Sequence, residues 1–196
     1  MLFPYATKLR ATLEEAHPDL IWQLGHLGMP GWTAAQMVTS TDDPLRGLRH
    51  KLKQVNNPPV SLVVILAGTN DLGYAAQGEE GASVIAGHLK ALHRIAHEQN
   101  VTTLAVGIPA SRYQQQVPAA RELCMRVNER MREWAAATPG ASFAPFPSDA
   151  VPDPAGGGEE DDFWCVDGLH LTEMGYDALG GALAGAVKEA LTLPPP

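Results

Sequence analysis

Val60-Ser61-Leu62-Val63-Val64-Ile65-Leu66-Ala67-Gly68-Thr69-Asn70-Asp71 is the stretch on which the fold turns. The run from Val60 to Ala67 is nearly all aliphatic and does not alternate, as expected of a parallel strand covered on both faces. It delivers the turn Gly68-Thr69-Asn70-Asp71. Upstream, Tyr5, Leu9, Leu13 and Ala16 share one face of a helix expected over Pro4 to His17, stopped by Pro18. Leu20 to Leu24 is a short apolar run that suits a buried strand, and it empties into a turn-rich loop from His26 to Thr33. Thr33 is placed to cap a short helix through about Thr39. Asp42 or Asp43, before Pro44, opens a basic helix through Leu45, Leu48 and Leu52 that Asn56-Asn57-Pro58-Pro59 ends.

Downstream the alternation continues. Val84, Ile85, Leu89, Leu92 and Ile95 form the stripe of a helix running to Asn100, and Val101 to Ile108 is the next strand, ending at Pro109-Ala110-Ser111. Ala120, Leu123, Val127, Met131 and Trp134 mark a longer helix closed by Pro139-Gly140, and Ala141 to Phe146 is a last short strand. Pro147 to Asp162 reads as a long solvated loop, its run Glu159-Glu160-Asp161-Asp162 a solvated face rather than a metal site. Thr172 and Gly175 lead into an Ala/Leu-rich final helix, and Leu193 to Pro196 is a frayed tail. Strand and helix alternating in this way predict one domain, a doubly wound α/β layer sandwich, in which ligands sit at the carboxyl ends of the strands.

With 196 residues and 45% hydrophobic content the chain has enough material for a sizeable core. A net charge of −8 argues against nucleic acid and anionic membrane surfaces, both of which call for clustered Lys and Arg. A neutral or cationic small molecule is the expected partner. Two cysteines, Cys124 and Cys165, are too few for a disulfide scaffold, although one bridge is open to them. Neither a spanning helix nor a signal peptide is visible, so the chain is expected to be soluble; where it resides is not readable from these residues. Nothing in the pattern calls for a metal or a cofactor.

The rule of the strand ends selects the loop holding Gly31, the loop holding Asn70, the loop holding Ser111, and Asp167-Gly168-Leu169-His170. An Asp three residues ahead of a His can accept the Nδ1 proton, fix the tautomer and leave Nε2 free as a base. Gly31 in a G-x-x-G-x-T loop, Gly68-Thr69-Asn70-Asp71 after an aliphatic strand, and Asp167-x-x-His170 together resemble three of the four sequence blocks of the SGNH, or GDSL-type, hydrolases. The resemblance spans essentially the whole chain. It implies an α/β/α sandwich on a parallel, flavodoxin-like sheet, and an ester hydrolase without cofactor or metal that acts on a small-molecule ester. In it His170 is the general base and Asp167 its orienting partner. The backbone N–H of Gly31 and the amide of Asn70 form the oxyanion hole, in which each donor is worth roughly 3 kcal/mol of barrier. Ser111, Trp32, Asp71 and Tyr113 are the candidates for substrate contact; Tyr74 and Trp164 are further aromatic residues that could line a cleft or simply pack.

The fourth block is missing. In these hydrolases the nucleophilic serine sits in a Gly-Asp-Ser motif after the first strand, and none of the six serines here, at 40, 61, 83, 111, 142 and 148, follows Gly-Asp. The resemblance therefore implies a sheet lacking its first, central strand. The strands expected at Leu20 to Leu24 and Val60 to Ala67 would close on each other, or a second copy of the chain would cover the gap. Ser111, Ser40 and Cys165 are substitute nucleophiles to weigh against ordinary turn hydroxyls and a half-buried thiol, and water activated by His170 is another route. Two functions follow, an SGNH-type esterase on small or medium acyl or acetyl esters, or a non-catalytic relative that binds a ligand or assembles. Nucleotide binding is disfavoured, since no G-x-G-x-x-G follows a strand.

Overall fold

Three parallel strands carry the fold in the order β1 (Leu62–Ile65), β2 (Thr102–Val106), β3 (Ala141–Ala144). The computed structural model describes residues 5–55, 58–155 and 161–196. Among the described residues seven helices accompany the sheet: α1 (Ala6–Ala16), α2 (Ala34–Thr39), α3 (Leu48–Gln54), α4 (Gly78–His97), α5 (Arg112–Gln116), α6 (Pro118–Ala136) and α7 (Glu173–Leu191), with a 3₁₀ turn at Asn70–Gly73. The architecture is α/β, as the alternation predicts. Helices join successive strands because parallel neighbours need a crossover connection.

By contacts the chain groups into two compact units. One comprises Met29–Ile108, Ala119–Phe146 and Val187–Pro196 and holds the sheet. Its middle strand β2 is buried at every residue, whereas all four residues of β1, which pairs only with β2 among the described residues, are half-buried. Ile85, Leu89, Leu92 and Ile95 of α4 meet Leu123, Val127 and Met131 of α6 in one core with Ala105 and Ile108. The predicted stripes on both helices thus face inward except at Val84, which is 50% exposed. Glu79 and Glu80 in the first turn of α4, and Arg94 in its last, complement the helix dipole. Pro196 returns against Gly140, so the expected frayed tail is packed at its end.

The other unit comprises Met1–Gly28, Pro109–Pro118 and Pro147–Ala186. Leu9 and Leu13 of α1, Leu179 and Leu183 of α7, Val151, Trp164 and Leu171 are among its buried apolar side chains. Helices α1 and α7 approach closely at Gly180, where a Cβ would fall 2.3 Å from the Tyr5 carbonyl oxygen; only glycine fits there.

Three expectations need correction. Leu20 to Leu24 forms no strand, and Leu20 and Ile21 are 56% and 91% exposed. A strand exists only with a ladder partner, and a five-residue apolar run between Pro18 and Gly25 carries no information about one. The pairing expected between that run and β1 accordingly does not form, and the sheet has three strands among the described residues. Second, α3 begins at Leu48 rather than at Pro44: the Asp43 carboxylate accepts from the N–H groups of Leu45 and Arg46 at 2.9 and 2.8 Å, closing a turn ahead of the helix. Third, Asp161 is not simply solvated. It accepts from the N–H groups of Phe163, Trp164 and Ala155 and so organises its loop; Glu159 and Glu160 lie outside the described residues, as does the Asn56-Asn57 helix stop.

Candidate active site

The site residues expected from sequence divide between the units. Gly31, Trp32, Asn70 and Asp71 belong to the sheet-bearing unit, and Ser111, Tyr113, Asp167 and His170 to the other.

Gly31 sits at φ +77°, in a loop that leads directly into α2. Thr33 caps α2 as expected, in a capping box with Gln36. Two neighbouring side chains from the turn after β1 reach across to this loop. Asn70 Nδ2 donates to the Trp32 carbonyl at 2.9 Å, and both carboxylate oxygens of Asp71 accept from the Ala34 N–H, at 3.2 and 2.9 Å. An amide nitrogen carries two hydrogens, so one donor of Asn70 is used in holding the loop and the second is unassigned. Burial pushes the Asp71 carboxyl above its usual range, against the Ala34 N–H and its own backbone N–H, which hold it down. Asp71 is 5% exposed, which makes it a brace for the Gly31 loop rather than a surface that meets substrate. Trp32 is half-buried, with the Arg46 guanidinium 5.6 Å over its ring.

In the other unit, Asp167 Oδ2 lies 2.7 Å from His170 Nδ1, while Oδ1 accepts from the N–H groups of Leu169 and His170, both at 2.9 Å. Burial alone would raise the Asp167 carboxyl, but the His170 ring and those two backbone donors outweigh it and bring it down to about 2. An ionised carboxylate only accepts, so Nδ1 carries a proton, and in the neutral ring Nε2 keeps its lone pair. The imidazole is 60% exposed, so Nε2 is within reach of solvent and small molecules. Ser111 is 2% exposed and caps α5, its Oγ accepting from the Gln114 N–H at 3.4 Å. That is the turn hydroxyl weighed against it, and it takes Ser111 out of the running as a nucleophile. Tyr113 is 42% exposed on α5. Trp164, at 2% exposed with Nε1 donating to the Pro152 carbonyl, is core rather than cleft lining, and Tyr74 is 82% exposed. Cys124 is buried and Cys165 half-buried, with Cys165 Sγ 3.5 Å from the Leu171 carbonyl. Among the described residues no cluster of His, Cys, Asp or Glu could hold a metal ion, and no helix is long and apolar enough to cross a membrane.

The profile of the GDSL-like lipase/acylhydrolase family matches residues 3–178. The chain belongs to that family. No curated protein matches the sequence. Solved GDSL-type structures share the fold. A GDSL-like lipase from Bacteroides thetaiotaomicron is 19% identical with a TM-score of 0.59, the match covering 97% of this chain and 93% of that one. An acetyl esterase variant solved with an acetate ion is 13% identical, TM-score 0.61, with 96% and 91% covered. A carbohydrate esterase of family 3 from Talaromyces cellulolyticus is 13% identical, TM-score 0.57, with 93% and 90% covered. Membership supports a hydrolase of the esterase type at the level of the family. Neither the bracing role of Asp71 nor the grip of Arg112 on the Asp167 loop was legible in the sequence. For Asp71 the one available signal was its position immediately after Asn70.

Proposed function

We propose that this GDSL-family chain hydrolyses carboxylic esters of small or medium acyl groups, acetyl esters foremost. The observation that carries this is the Asp167–His170 pair, 2.7 Å apart with an exposed imidazole. Support comes from the family and from the acetyl esterase and carbohydrate esterase folds that the chain resembles. The nucleophile in this proposal is water, activated by the exposed imidazole of His170. His170 Nε2 takes a proton from that water as its oxygen attacks the ester carbonyl carbon. The carbonyl π electrons move onto oxygen, and the N–H of Gly31 and the amide of Asn70 are the donors assigned to that oxyanion. The oxyanion collapses, the C–O bond to the alcohol breaks, and the His170 imidazolium returns the proton to the leaving alkoxide. Asp167 remains a carboxylate throughout and holds the ring in its tautomer.

Hydrolysis of a chromogenic acetyl ester tests this, with His170→Ala purified in parallel. Turnover is expected to vanish in His170→Ala and to fall by about 10²–10³ in Asn70→Ala. Equal rates in wild type and His170→Ala would sink the proposal. The burial of Ser111 favours a second reading, a binding protein on the esterase scaffold. Its mark would be an acyl ester that binds wild type and His170→Ala alike and is released intact.

A further inference from the structure

Arg112 takes hold of the loop that carries the catalytic pair from both sides of Asp167. Its Nη1 donates to the Val166 carbonyl, and its backbone N–H donates to the Gly168 carbonyl at 3.0 Å. These are the carbonyls of the residues immediately before and after Asp167. The residue between the carboxylate and Leu169 is also the one that lets the arginine in. Gly168 has φ +58°, and a Cβ there would fall 2.7 Å from Arg112 Cβ and 3.1 Å from its Cζ and Nε. The side chain of Arg112 therefore lies along a bare α-carbon. The Ser111 cap fixes where α5 starts and hence where the Arg112 N–H points. The loop is closed further by Gly168 N–H to the Cys165 carbonyl, 2.8 Å, and Cys165 N–H to the His170 carbonyl, 2.9 Å.

We propose that Arg112 is a positioning residue for the Asp167–His170 pair: by pinning the peptide units on both sides of Asp167 it aims Oδ2 at His170 Nδ1. The side chains of Asp167 and His170 are 47% and 60% exposed, so packing does little to hold them, and the backbone beneath must set their geometry. The consequence for turnover rests on the hydrolase proposal above, whereas the effect on ring tautomer does not.

The test is the ¹⁵N pattern of the His170 ring at a pH where the ring is neutral, which reports the ratio of Nδ1–H to Nε2–H tautomers. Wild type is expected to be predominantly Nδ1–H, with Asp167→Ala as the reference for a lost partner. Arg112→Met keeps the aliphatic stem over Gly168 and the backbone N–H bond to the Gly168 carbonyl, and removes the guanidinium donor to Val166; the tautomer ratio should move about tenfold toward the Asp167→Ala pattern, the equivalent of one charge-assisted hydrogen bond. Arg112→Lys, which retains one donor, should recover part of the shift. Gly168→Ala, which displaces the arginine from the other side, should reproduce it and serves if Arg112→Met does not fold. An Arg112→Met protein with wild-type amide shifts in the sheet and an unchanged His170 pattern would overturn the proposal, and so would an unchanged pattern in Gly168→Ala. Wild type that shows the Nδ1–H pattern, loses it in Arg112→Met and yet turns over no ester would uphold Arg112 and overturn the hydrolase reading.

Discussion

A buried carboxylate persists only where donors meet it, and Asp71 gives both of its oxygens to a single backbone N–H, that of Ala34 at the start of α2. Removing it would leave that N–H unpaired in a buried setting. Asp71→Ala is expected to cost about 1–2 kcal/mol, as lost caps do, read as a lower urea midpoint at unchanged m-value; Asp71→Asn, which keeps an acceptor oxygen, should lose less. Because Asn70 holds the Trp32 carbonyl of the same loop, the two neighbours fix the residues on either side of Thr33. At this scale the Asp167–His170 hydrogen bond was readable in advance, and Thr33 caps the helix it was expected to cap. The direction in which Asp71 points was not readable, since a Gly-Thr-Asn-Asp turn names the residues without saying which neighbouring loop lies opposite. Arg112 was still less so, because it grips the Asp167 loop by backbone carbonyls, and every residue has one.

Helix α4 shows both the reach of periodicity and where it stops. Its apolar stripe was legible, because amphipathic spacing sustained over 20 residues seldom arises in anything but a half-buried helix. Leu20 to Leu24 is the opposite case, a short run without a partner whose pattern fits a strand as well as an exposed loop. Within the buried face of α4 sits His93, 1% exposed, its ring 5.0 Å from that of Trp134 and its Nδ1 without a hydrogen-bond partner among the described residues. Around it from the sheet and α6 are Ile65, Ala105, Phe143, Asn128 and Met131, and the titratable neighbour is His97, whose Nε2 lies 2.9 Å from Thr103 Oγ1. Burial, with a smaller push from His97, brings His93 down to about 3. Between its ordinary value of 6.5 and that figure, the unfolded chain holds a proton that the folded chain refuses. The contribution to stability is therefore complete above about pH 6.5 and falls by up to roughly 1.4 kcal/mol per unit as pH drops toward about 3. Burial lowers His97 as well, in the same sense. Urea unfolding at about pH 7 and about pH 5 should show the loss in wild type and a clearly smaller one in His93→Leu; equal losses would mean that His93 takes up its proton alike in the folded and unfolded chain.

For the molecule as a whole, alternating strand and helix signals announced an α/β fold with a parallel sheet, and the three later strands formed where they were expected. The grouping into two units was not announced. The unit that holds His170 is assembled from three separated stretches, and nothing local marks which distant segments will share a core. The sheet's own composition does carry a liability. Leu62, Val63, Val64 and Ile65 form a wholly aliphatic strand that is half-buried and, among the described residues, laddered along one edge only, with none of the lysines or inward charges that usually blunt such an edge. Its fate under stress is colloidal. On warming, or in concentrated stock, light scattering should rise at a rate that grows with protein concentration, and Val63→Lys should weaken that dependence on concentration even though, at a half-buried position, it lowers the melting temperature of the dilute protein. An unchanged dependence would place the sticking surface elsewhere. How long a preparation of this protein keeps would then be decided by four residues at the rim of the sheet, however well the rest of the chain is folded.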